Sequence, residues 1–154
     1  MQDGDAEVFH RVHAGDSEGE AYHGTALRPM LSEISAEVAA ARPLPAGHTI
    51  WEIVLHLVAW HEWAVEKLNG KDPKVDGDGW VSVSDASAGA WRATRERLDR
   101  SHARLVARIR GLTSERPPRA EYVLRFILHH DIYHAGQIGL LRRASAPARR
   151  TGTP

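Results

Sequence analysis

The stretch HHDIYHAGQIGLL, residues 129–141, reads as one face of a buried helix, yet it carries three histidines. Apolar positions run in steps of three and four from Val123 and Ile127 to Ile138 and Leu141, and His130 and His134 fall on the same stripe. That period is helical, and residues four apart stand one turn above the other on a shared face. The pair therefore sits where a helical bundle has its core. An imidazole in a core must find partners for its polar atoms. Hydrogen bonds to neighbours can supply them, and so can shared coordination of one metal ion.

Outward from this stretch, the helix is expected over about 119–143, after a break at TSERPP. Upstream, Trp91, Leu98, Leu105 and Leu112 recur at heptad spacing and mark a third helix, with Ser84 or Asp85 as its cap. The second helix starts at Thr49 with Glu52 three residues on, a capping box, and its stripe is Ile53, Leu57, Trp60, Ala64 and Leu68. NGKDP ends it. A first helix is expected over about 22–41 on Leu27, Leu31, Ile34, Val38 and Ala41, stopped by the prolines of RPLPAG. No segment sustains strand alternation. Four amphipathic helices with three connections predict an all-α, antiparallel four-helix bundle. Between the second and third helices, about 70–83 is a loop rich in glycine and aspartate, in which the large side chain of Trp80 is expected to roof a pocket.

The 154 residues suit one domain, 1–154, with a core over about 20–143. Both ends, about 1–18 and 145–154, are expected to be flexible, although AEVFHRV can add a helical turn. Lysine plus arginine and aspartate plus glutamate both total 20. That balance, with no basic recognition helix, argues against nucleic acid and anionic membranes as partners. No run of roughly 18 apolar residues exists to cross a bilayer, and the acidic start MQDGDAEVF lacks a signal-peptide pattern. A cytoplasmic protein is expected. There is no cysteine, so thiolate metal sites are excluded and any nucleophilic thiol must come from another molecule.

Ten histidines are many for this length. If His130 and His134 hold a metal, a third ligand is needed, because catalytic sites commonly use three protein ligands and leave one position open. His56 is the best-placed candidate, lying on the inward stripe of the second helix; His61 is its rival. Gln137, one turn past His134, can orient a ligand or a bound water. Asp131 and Glu52 can accept a ligand's remaining N–H, although surface salt bridges are the plainer reading of both. Ala135, Gly136 and Gly139 permit close approach of a helix or a ligand. His102 has no partner four residues away and reads as a structural or surface histidine. Spacing alone leaves the core and metal readings both open.

The segments HDIYHAGQIGLLRR, HTIWEIVLHLVAW and AYHGTALRPML together resemble the DinB-like superfamily of small bacterial metal-binding four-helix bundles. The similarity covers about 22–143, with Tyr22 where the family commonly has tryptophan. It implies that His56, His130 and His134 are the metal ligands and that His61 and His129 are not. Imidazole ligands suit zinc or nickel, the expected ions, and also iron and copper. The resemblance also implies a small-molecule substrate. Some proteins of this kind transfer a low-molecular-weight thiol such as mycothiol or bacillithiol to an electrophile, and others resemble metal-dependent hydrolases. A non-catalytic metal or small-ligand binding bundle is the further alternative. Such proteins often form homodimers, and a homodimer is expected here.

Overall fold

The computed structural model describes residues 2–22, 24–112 and 117–145. The chain runs through α1 (Gln2–Ala14), the hairpin strands β1 (Glu20–Ala21) and β2 (Gly24–Thr25), α2 (Leu27–Ser32), α3 (Ala36–Ala40) and α4 (Ile50–Leu68). A tight turn at Asp76–Gly79 precedes α5 (Ala88–Arg110) and α6 (Ala120–Ser145). Helix α4 packs against both α5 and α6, and α1 closes against α5 and α6. These four helices form the bundle. The tail from residue 146 lies outside the described residues, as does most of the TSERPP break.

The first bundle helix is not the one the periodicity predicts. The expected helix over 22–41 is instead strand β2 followed by two short helices. Ser35 divides them: it is extended (φ −71°, ψ 161°) and its hydroxyl accepts the Val38 N–H, so α3 starts afresh. Leu27, Leu31 and Ile34 are still buried. The place in the bundle goes to α1, in the N-terminal segment expected to be loose, which buries Ala6, Phe9 and Val12. Full burial of side chains such as Phe9 contributes about 1.5–3 kcal/mol each, which offsets the weak helical preference of a short polar segment.

Helix α4 begins as expected. The Thr49 hydroxyl accepts the Glu52 N–H at 3.1 Å, and the Glu52 carboxylate accepts the Thr49 N–H at 2.8 Å. Arg42 also donates to Glu52 at 2.7 Å. Glu52 is therefore buried in a cap rather than paired on the surface. Thr49→Ala is expected to lower stability by about 1 kcal/mol, read as a lower urea midpoint; an unchanged midpoint would show that the box does not set the start of α4. Helix α5 starts later than expected, because Ser87, not Ser84 or Asp85, accepts the Ala90 N–H at 3.2 Å. Asp85 accepts the Ser87 N–H instead.

The apolar core has two parts. One gathers Leu31, Val54, Leu57, Leu98 and Ile138, with Trp51 and Trp91. The other gathers Phe9, Leu68, Leu105, Ile109 and Ile127. Along α4, α5 and α6 the buried polar residues His61, Ser101, His102, Asp131 and His134 fall between them. A polar layer thus crosses the middle of the bundle.

Candidate metal centre

The polar layer opens at one edge into a group of three histidines. His56 comes from α4, and His130 and His134 from one face of α6. One ring nitrogen from each lies within 4.8 Å of the other two, and no other such group of metal-ligating side chains occurs among the described residues. The Nε2 atoms of His56 and His130 are 2.9 Å apart. His56 and His134 are buried and His130 is half-buried.

Each ring has a distinct neighbour on its other nitrogen. His134 Nδ1 is 2.7 Å from Gln137 Oε1, so it donates there and keeps Nε2 as a lone pair. Tyr133 in turn accepts from Gln137 Nε2 at 3.0 Å. His56 Nδ1 lies against Gly79, where an added Cβ would stand only 3.2 Å from it, and has no hydrogen-bond partner. Gly79 has φ +80°, which suits a residue without a side chain. His130 Nδ1 has no hydrogen-bond partner and lies 3.7 Å from Asp131 Oδ1.

Electrostatics favour the ligand form of His56 and His134. Burial, reinforced by His130 and His134 beside it, lowers the pKa of His56 to about 4. Burial and then His130 lower His134 to about 4 as well, despite the bond to Gln137. Both are neutral imidazoles at pH 7, the state that binds a metal. The donor set therefore fits a divalent transition-metal ion.

Trp80 covers this group, as the sequence suggests. Its indole stacks on His56 at 3.9 Å between ring centroids, and His48 stacks on it from the other side at 3.5 Å. The turn beneath it is fixed by Trp60 Nε1, which donates to the Asp78 carbonyl at 3.2 Å. A small, mainly apolar cavity of about 170 Å³, lined by Leu44, His48, Ile53, Gln137, Leu140 and Leu141, lies one helical turn along α4 and α6.

His61 is not among the three, although it is wholly buried. Its Nε2 is 2.9 Å from Asp131 Oδ2 and its Nδ1 is 3.1 Å from Ser101 Oγ. Asp131 is thus an interior residue, correcting the surface salt bridge expected for it. Burial acts to raise its pKa, but His61 and His130 beside it hold the carboxyl well below the ordinary range. His102 is structural and buried, stacked on His13 at 4.0 Å, while His13 Nε2 is 2.8 Å from Asp99 Oδ1. His13, which helical spacing alone could have marked as part of this layer, follows the buried Phe9 by four residues. Gly136 faces open space rather than a neighbouring helix, and Gly139 meets Met30. His129 is exposed.

No helix among the described residues is long and apolar enough to cross a membrane. Comparison with curated proteins and with solved structures gives no match. The family model of the DinB superfamily matches residues 22–138, a span that holds α4, α5 and all three histidines of the centre, and the chain belongs to that superfamily.

Proposed function

We propose that this chain is a metal-dependent enzyme that transfers a low-molecular-weight thiol to an electrophilic small molecule, with His56, His130 and His134 holding zinc or nickel. The observation that carries this reading is the convergence of three imidazoles from two helices, two of them kept neutral by their surroundings. A divalent ion held by three neutral ligands keeps its charge and supplies Lewis acidity to a thiol or water beside it. The chain has no cysteine of its own, which suits a thiol brought in as co-substrate.

The protein's own groups supply position and cover. Gln137 fixes the His134 ring, the Gly79 main chain backs His56, and Trp80 with His48 shields the group from water. The cavity between Ile53 and Leu140 gives room for a short apolar portion of the electrophile. In the transfer a carbon–sulfur bond forms while the bond from that carbon to the leaving group breaks, and the thiol proton departs with the leaving group. A second reading, a metal-binding module without catalysis, draws on the indole lying flat over His56.

The test supplies mycothiol or bacillithiol and a bromobimane to zinc- and nickel-loaded protein. Thioether formation above the uncatalysed rate is expected, abolished by chelation and restored by the ion. A rate indifferent to chelation would overturn the enzyme reading. Thiol binding without product would favour the binding module, and ester cleavage that needs no thiol would favour a hydrolase.

A further inference from the structure

A buried polar group beside the three histidines contains none of them. His61, Ser101 and Asp131 come from α4, α5 and α6 and are 0 %, 3 % and 2 % exposed. The Ser101 hydroxyl donates to the Leu98 carbonyl at 2.9 Å and stands 3.1 Å from His61 Nδ1. His61 Nε2 then meets Asp131 Oδ2 at 2.9 Å. The carboxylate is held from one side only. Its Oδ1 is buried without a hydrogen bond, and so is His130 Nδ1, 3.7 Å away.

Two complementary groups left unmatched side by side are costly in a core. Stability alone does not account for them, because a buried ion pair is often no better than well-packed apolar residues of similar volume. Their placement has a use if His130 is a ligand. Of the other two rings, His134 already has Gln137 on Nδ1, and His56 Nδ1, also without a hydrogen bond, lies against Gly79 with no carboxylate beside it, so His130 alone has an unmatched acceptor next to its Nδ1. A carboxylate behind a metal-bound imidazole fixes its tautomer and orientation.

We propose that Asp131, held by His61 and Ser101, is the positioning residue for His130, its Oδ1 accepting a hydrogen bond from Nδ1–H so that Nε2 faces His56 and His134 unprotonated. This rests on the reading of the three histidines as a metal site. His61, a histidine on an inward face that is not a ligand, acts through Asp131.

The test compares wild type with the double variant His61→Leu/Asp131→Leu and with Asp131→Asn. The double variant removes both buried polar partners together, so neither is left unpaired. Zinc affinity is measured by competition with a chromophoric chelator, and coordination by the visible spectrum of the cobalt(II)-substituted protein. In the folded double variant zinc is expected to bind about 10–100-fold more weakly, with an altered cobalt spectrum. In Asp131→Asn, whose amide oxygen is a weaker acceptor, a smaller loss in the same direction is expected. Should the double variant not fold, Asp131→Asn decides alone. Wild-type affinity and spectrum in the folded variants would overturn the positioning role and leave the metal site standing. A wild type that binds neither ion would instead refute the site itself.

Discussion

His56→Ala, His130→Ala and His134→Ala are each expected to abolish metal retention, while wild type reconstituted with zinc keeps one ion per chain. Structural zinc sites bind with roughly 10–16 kcal/mol from four ligands, so one ligand carries roughly 2.5–4 kcal/mol. At about 1.4 kcal/mol per tenfold, its loss weakens binding by two to three powers of ten, enough for dialysis to strip the ion. His129→Ala is the control, since that ring is exposed and outside the group. Elemental analysis reads the stoichiometry. Thermal unfolding gives a second readout, because a ligand that binds only the folded state stabilises it by about 2.7 kcal/mol at a hundred times its dissociation constant. The zinc-dependent rise should vanish in the three variants and persist in the control. One ion per chain in His56→Ala and His130→Ala alike would place the metal elsewhere.

The histidines of the centre were legible because each obeys a local rule. His130 and His134 are four apart on a helical stripe, and His56 follows Ile53 and precedes Trp60 on another. Thr49 and Glu52 announce the start of α4 through chemistry confined to four residues. Helix α1 was harder to read because its apolar face is only Ala6, Phe9 and Val12, set among acids and histidines. The polar layer escaped for a different reason. Its members find partners 40 to 86 residues away, as His61 does with Ser101 and Asp131 and His13 with Asp99. A signal was present nonetheless. Leu57, His61 and Val65 are spaced by four, as are Leu98, His102 and Val106, and Ile127, Asp131 and Ala135. One polar residue replaces an apolar one at the same level in three bundle helices, and Phe9 with His13 begins the same row in α1. Read helix by helix, each substitution is an isolated oddity; aligned across the helices, they mark a layer.

That layer makes the metal-free protein sensitive to acid well above the carboxylate range. Burial lowers the pKa of His102 to about 2, with His13 and His61 adding to the effect. His56 and His134 are lowered to about 4, and His13 is shifted in the same direction, chiefly by burial. Above an ordinary histidine pKa of about 6.5, both the folded and the unfolded chain hold these rings neutral and pH has no leverage on them. Below it the unfolded chain takes up protons that the folded chain refuses. Stability therefore falls with pH, by up to about 1.4 kcal/mol per unit for each such ring. The loss from His56 and His134 continues to about pH 4, and that from His102 to about pH 2. Asp99, Asp131 and Glu52 have lowered pKa values too, but their stabilisation is lost only as pH drops below the ordinary carboxylate range. With His56, His102 and His134 contributing, the decline approaches about 4 kcal/mol per unit, against a typical total of about 5–15 kcal/mol. Metal-free protein is expected to unfold near pH 5, measured by urea midpoints between pH 7.5 and 5. His102→Leu should flatten that slope by about one proton's worth, because both nitrogens it removes are buried without partners. A stability that is level from pH 7 to 5 would mean that these rings take up protons in the folded protein as readily as in the unfolded chain, and that the layer is open to water.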